Sequence, residues 1–255
     1  MADPAASPEG GKYFYAVIFT DGDREFGNIG LNSEKVYTIL HRDIAAVVSD
    51  HPVTSVRPLR RNLSPFHMVL RSVSETCTTI PAKFGQIAAD AEQVLQMLRS
   101  HYSRLKQELE GLHAKGEIGV KVFWEVDNLS EYLLRTDGDL RRLRDRILAR
   151  GSPPTRQEQI ELGGLIYDRI SARKREMTQL VVTALRSVAA EVRVDEATEE
   201  RMVTNAAFLV GRERRSDFEE AVGKTASLLG QEYVVKVDGP WPPFSFVTHI
   251  ELRVS

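Results

Sequence analysis

The chain has 255 residues, 42% of them hydrophobic and 27% charged, with 34 Lys and Arg against 36 Asp and Glu. This composition is that of an ordinary folded protein and excludes whole-chain disorder and low-complexity repetition, and a net charge of −2 supplies no global attraction to nucleic acid or anionic lipid. The single cysteine, Cys77, excludes an internal disulfide and any multi-cysteine metal site, and points to a reducing cytoplasm.

Residues 1–11 are small and polar, without the basic and apolar regions of a secretory signal, and are expected to fray. Tyr13 to Thr20 reads as a β-strand that stops at the turn Asp21-Gly22-Asp23. Its apolar part, Tyr13 to Phe19, is the longest such run and is far short of the roughly 20 residues that span a bilayer. After a short amphipathic stretch at Val36 to Leu40, Ile44-Ala45-Ala46-Val47-Val48 reads as a strand buried on both faces. Ser64-Pro65 has the form of an N-cap followed by proline at the first helical position, which predicts a helix from Pro65 to about Thr76. Phe66, Val69, Leu70 and Val73 make its buried stripe. Thr78 to Pro81 is extended and Gly85 marks a turn. From Asp90, with Gln93 placed to reciprocate the cap, Val94, Leu98, Tyr102, Leu105, Leu109 and Leu112 form a helical ladder ending by Gly116.

Ile118 to Val126 alternates as a strand, with Ile118, Val120, Val122 and Trp124 on one face. Residues 128–155 read as a variable, Arg- and Asp-rich helical insert. Thr155-Arg156-Gln157-Glu158 is a capping box opening a helix of about nine turns, with a kink or a close helix contact expected at Gly163-Gly164. Strands follow at Val192 to Val194 and Met202 to Gly211. A second capping box at Ser216-Asp217-Phe218-Glu219 opens a helix to Leu229, and a strand at Val234 to Val237 ends at Asp238-Gly239. From Ile118 the order is β-α-β-β-α-β, the ferredoxin-like split unit, with a last strand around Phe244 to Val254 left over. The fold class is thus α+β in two domains: 1–114 mixed α+β, and 115–255 ferredoxin-like with a long helix and an apolar strap over 239–255.

No catalytic constellation emerges. Gly223-Lys224-Thr225 lacks the glycine five residues earlier and the preceding strand of a phosphate loop. The six histidines never fall at metal-ligand spacing, so no metal or cofactor is expected. Cys77, near the C-terminal end of a predicted helix, reads as buried and inert. Arg57, Arg60 and Arg61 with His67 mark a basic, proline-bounded segment suited to an interaction. A second basic region holds eleven basic against six acidic side chains between Arg135 and Arg175. Its bland reading is a solvated helical face with pairs such as Arg141 and Asp145; its alternative, over 141–175, is a nucleic-acid-binding module, though without the aromatic residues that stack bases. Trp241, Phe244 and Phe246 lie in Gly239 to Val247, the densest apolar segment, which three prolines bar from a central strand. It either closes the core between the domains or offers an exposed aromatic docking site.

Seven segments in order resemble the gas vesicle protein F/L family: Tyr13-Phe14-Tyr15-Ala16-Val17, Ala45 to Ser49, Arg60 with His67 and Val69-Leu70, Ile80 to Gly85, Gly119 to Trp124, Asn205 to Val210 and the Gly239 to Val247 strap. The resemblance implies a non-enzymatic, cofactor-free accessory protein and minor component of gas vesicles, the hollow protein shells that give buoyancy. It implies binding to the small, very hydrophobic major shell protein and support of vesicle nucleation and assembly by keeping that protein from aggregating, with other accessory proteins as further partners. It also implies two α+β domains, the second a modified ferredoxin-like one, and a location in the cytoplasm with the vesicles. Neither a membrane nor nucleic acid is an expected partner. The interaction residues it leaves to be tested are Arg57, Arg60, Arg61, His67, Trp241, Phe244 and Phe246.

Overall fold

The computed structural model describes residues 10–248, which fall into two compact units: 10–117 together with 240–248, and Ile118–Gly239. The first unit is built from β1 (Lys12–Phe19), β2 (Glu25–Gly27), β3 (Val36–His41), β4 (Ile44–Asp50), α1 (Arg60–Thr76), β5 (Thr79–Pro81), β6 (Ile87–Ala88) and α2 (Ala91–Leu112). Its sheet runs β2-β3-β4-β1-β5, with β6 also pairing β1. Its strands pair antiparallel, and β1 meets β4 from Lys12 opposite Asp50 to Phe19 opposite Ile44, with a bulge between Phe14 and Ala16.

β1 and β4 are the apolar runs of the sequence, and every residue from Tyr13 to Ile18 and from Ile44 to Ser49 is buried. A strand apolar on both faces needs cover on both, and both α1 and α2 pack against this sheet. α1 brings Phe66, Val69, Leu70 and Val73 onto Tyr13 and Tyr15; α2 buries Val94, Leu98, Leu105 and Leu109. The Asp90 cap of α2 forms as the sequence predicts, the Gln93 amide donating to the Asp90 carboxylate at 2.8 Å, but the Gln93 side chain accepts from the Ala89 amide at 2.6 Å, one residue before the cap.

Three expectations change in this unit. α1 begins at Arg60, more than a turn before Pro65, with Leu59 at the N-cap and no side-chain cap. Proline removes only the bond to the Arg61 carbonyl, and Arg61 is exposed, so water replaces that donor while the buried stripe holds the helix. Gly11 does not fray, its carbonyl accepting from the His51 amide at 2.9 Å just before Lys12 opens β1 and pairs with Asp50 at 2.5 Å; residues 1–9 of the expected tail lie outside the described residues. Cys77 is partly rather than fully buried, and its Sγ accepts from Arg24 Nη1 at 3.5 Å.

The second unit carries β7 (Lys115–Trp124), α3 (Leu129–Thr136), α4 (Gly138–Leu148), α5 (Arg156–Leu185), β8 (Glu191–Val194), β9 (Met202–Gly211), α6 (Arg215–Leu228) and β10 (Tyr233–Trp241). Its four strands lie in the order β10-β7-β9-β8. Ile118, Val120, Val122 and Trp124 of β7 face a core shared with Val181 and Leu185 of α5, Phe208 of β9 and Phe218 of α6.

The Thr155 capping box forms, but α5 runs unbroken through Gly163 and Gly164, and a Cβ at either would meet nothing within 4 Å. Neither the kink nor the close contact is present, because that part of the helix lies at the surface. The capping box at Ser216 does not form: a 3-10 turn over Arg212–Arg214 leads directly into α6, leaving Ser216 inside the helix. β10 continues past Gly239 to Trp241, and Pro240 is tolerated there because β10 is an edge strand that needs no donor on its open side. Phe244–Phe246 is a 3-10 turn rather than a strand, and the rest of the expected last strand, 249–254, lies outside the described residues.

Candidate functional site

A helix that buries Phe66, Val69, Leu70 and Val73 must turn its other side outward. On α1 that side carries Arg60, Ser64, His67, Met68 and Arg71 at helical spacing, with Arg61 beside them, and all six are exposed. Arg57 and Leu59 precede the helix and are exposed as well; the Asn62 side chain donates to the Arg57 carbonyl at 2.9 Å and fixes the entry. Met68 and Leu59 keep 53% and 43% of their surface in solvent beside these arginines.

The seat of α1 is a hydrogen-bonded aromatic pair. Tyr13 Oη accepts from the Gly85 amide at 2.8 Å, and Tyr15 Oη accepts from the Leu31 amide at 3.0 Å while sharing a hydrogen bond with Ser49 Oγ. Burial pushes both phenols above their ordinary range, and Phe66 packs on both rings. On the exposed side, the His67 ring stands 6.3 Å from that of Phe244, which packs against the same core. Glu117 anchors the turn containing Phe244 by accepting from the Ser245 amide at 2.7 Å and from its hydroxyl at 2.8 Å.

Arg57, Arg60, Arg61, His67 and Phe244 therefore share one region of the first unit. Trp241 is 36% exposed and Phe246 half-buried on the same strap, whose Pro242 and Pro243 are buried. The sequence reading missed Leu59, Ser64, Met68 and Arg71. The signal was available as the complement of the buried stripe, but starting the helix at Pro65 cut that face short.

The other basic region is paired in part by its own carboxylates. Arg144 reaches Asp145 at 2.7 Å, Arg146 reaches Glu161 at 3.0 Å, Arg150 reaches Glu158 at 2.9 Å and Arg169 reaches Asp137 at 3.0 Å, with Asp139 accepting from both Arg142 and Arg169. Asp145 takes the guanidinium fork of Arg144 instead of the expected Arg141, which donates to the Arg135 carbonyl at 3.0 Å. The paired arginines are committed to carboxylates and no aromatic platform accompanies the basic residues that remain, so the nucleic-acid alternative finds no support.

Among the described residues no group of three His, Cys, Asp or Glu side chains could hold a metal ion, and no helix is long and apolar enough to cross a membrane. A cavity of about 180 Å³ in the second unit is lined by Ile118, Phe218, Val222 and Val237 with the Arg215–Glu219 pair. Lys224 of Gly223-Lys224-Thr225 pairs with Glu220 at 2.6 Å inside α6.

A family model for the gas vesicle synthesis protein GvpL/GvpF matches residues 11–248. Gas vesicle protein F of Streptomyces sp. (strain CB03234) is 29% identical over 223 residues, covering 88% of this chain and 92% of that one. Gas vesicle protein F of Dolichospermum flosaquae is 26% identical over 220 residues, covering 85% and 89%. Among solved structures, the crystal structure of the gas vesicle protein GvpF from Anabaena sp. PCC7120 superposes with a TM-score of 0.82 at 25% identity, covering 94% of this chain and all of that one. The chain belongs to the GvpL/GvpF family of gas vesicle synthesis proteins.

Proposed function

We propose that this protein is a non-enzymatic accessory factor that binds the major gas vesicle shell protein and supports nucleation and assembly of the vesicle by shielding that protein from aggregation. The observation that carries the reading is the outward face of α1, where exposed Leu59 and Met68 lie among Arg57, Arg60 and Arg61. A shell subunit exposes apolar surface before it assembles, and a factor that covers it needs apolar contact ringed by groups that stay soluble. The same reading puts Trp241, Phe244 and Phe246 at the margin of the contact and locates the protein in the cytoplasm with the vesicles. It takes the fold as two domains, divided near residue 115 with the strap after Gly239 grouped with the first, the second ferredoxin-like; the strand order β10-β7-β9-β8, fourth, first, third and second in chain order, supports that assignment.

The test is co-expression with the major shell protein followed by co-purification at low and high salt. A complex that survives high salt, and a soluble fraction of shell protein that falls when Met68→Glu is introduced, are the expected results. Shell protein that is equally soluble with and without this chain, and never retained by it, would overturn the reading.

A further inference from the structure

From His51 to Ser74 the chain has no Asp or Glu, yet it carries Arg57, Arg60, Arg61 and Arg71, in a protein whose net charge is −2. Basic side chains elsewhere in the described structure repeatedly find carboxylates, as in the Arg144 to Arg169 cluster. Arg57, Arg60 and Arg61 have no ion pair within the described residues, and Arg71 approaches Glu75 only to 3.8 Å. The surface is thus short of negative charge along one line. That line is straight: Arg60, Ser64, His67, Met68 and Arg71 recur at 4, 3, 1 and 3 on one helix face, so the two end arginines are about 16 Å apart at 1.5 Å per residue. Between them lie small Ser64, which lets a backbone approach closely, and exposed Met68, whose unbranched thioether adapts to irregular apolar surfaces.

We infer that the outward face of α1 seats an acidic amphipathic helix of the partner, with carboxylates about three turns apart opposite Arg60 and Arg71 and an apolar residue opposite Ser64 and Met68. A helix is the occupant that fits. α1 presents ridges and grooves at i, i+4 spacing, and it offers no open strand edge for an extended peptide to join. Nucleic acid fits less well. A phosphate backbone has no use for Met68 and Leu59 at the centre and entry of the stripe, whereas a peptide helix that alternates Glu with Leu or Ala complements both the charge and the apolar surface. This inference takes its partner from the function proposed above and adds the chemistry of the contact.

The experiment uses the full chain and a blocked, fluorescent, alanine-rich helical peptide with Glu at two positions eleven residues apart and Leu midway. Companion peptides have Gln or Lys in place of Glu. Saturable binding of the Glu peptide is expected, about tenfold weaker for the Gln peptide and about tenfold weaker again to Arg60→Glu and Met68→Glu. The Lys peptide should regain binding to the Arg60→Glu, Arg71→Glu double variant. All three positions are exposed, so circular dichroism and Tm should match the parent chain and separate lost contact from lost fold. Binding indifferent to charge or to Met68, or a 20-base-pair DNA duplex displacing the peptide from the parent chain but not from Arg60→Glu, would overturn the inference, the latter in favour of a phosphate surface. Repeating the shell-protein co-purification with the same variants keeps the two claims apart. Retained shell protein with no peptide effect sinks only the acidic-helix contact, and a charge-specific peptide site with no shell protein retained sinks only the functional reading.

Discussion

Phe244 stands edge-on to His67, ring centroids 6.3 Å apart and planes at 64°, so the strap after β10 is seated beside the outward face of α1. The two candidate regions of the sequence, the basic segment and the aromatic strap, are one neighbourhood. They divide labour by burial: Phe244 packs on the core of the first unit, and Trp241 keeps 36% of its surface in solvent. Phe244→Ala should cost about 2 kcal/mol, less than a fully buried Phe because the ring is only half-covered, and Trp241→Ala about 1 kcal/mol or less. Urea denaturation measures both; equal costs, or a larger one at Trp241, would contradict this division.

Tyr15 serves as a buried junction. Its hydroxyl accepts from the Leu31 amide and bonds Ser49 Oγ, both at 3.0 Å, with Tyr15 and Ser49 fully buried. Tyr15→Phe keeps the ring but orphans two polar groups, and should cost about 2 kcal/mol, whereas Tyr37→Phe, whose hydroxyl donates to exposed Asp50 at 2.8 Å, should cost about 0.5 kcal/mol. Denaturation midpoints of the two variants provide the comparison.

Asp43, at the tip of the β3–β4 hairpin, accepts from Lys106 Nζ at 2.7 Å and Tyr102 Oη at 2.6 Å. Those hydrogen bonds, Lys106 first, hold its carboxyl below the usual carboxylate range. A depressed pKa in the folded state gives stability that is fully present above the unfolded value of about 3.9 and is lost as pH falls through the folded value. Asp43→Asn should therefore be less stable than the parent at pH 7, with the gap closing as pH drops below 4. The gap should also narrow in 1 M salt, because Asp43 is 44% and Lys106 38% exposed. A gap unchanged between pH 7 and pH 3 would refute the assignment.

What the sequence disclosed and what it hid have physical reasons. Runs that are apolar on both faces, such as Ile44 to Val48, leave few alternatives to a buried strand, and the Asp90 and Thr155 caps are local hydrogen-bond patterns that need no tertiary context. The start of α1 was hidden because Ser64-Pro65 is a good cap locally, yet the Leu63 amide donates to the Leu59 carbonyl and the Asn62 side chain to the Arg57 carbonyl, so the helix begins at Arg60. Of the site, Arg57, Arg60, Arg61 and His67 were legible as charge in an unusual setting. Their company with Phe244 was not, since it depends on a turn 177 residues further along the chain from His67.

Gly163 and Gly164 sit inside α5, where the sequence suggested a bend. Because a Cβ at either position meets nothing within 4 Å and neither has a positive φ, the glycines bring only their entropy cost to the helix. Gly163→Ala and Gly164→Ala should each stabilise α5 by about 0.5–1 kcal/mol, seen as slower amide hydrogen exchange over 158–170. Gly85 is the opposite case. Its φ is +86° and its amide donates to Tyr13 Oη, so Gly85→Ala forces an L-residue into the left-handed region and should cost about 1–2 kcal/mol. The two substitutions are the same chemical change with opposite signs, set by backbone angle alone. If Gly164→Ala destabilises the protein as Gly85→Ala does, α5 is not solvent-flanked at its glycines and something must pack against them.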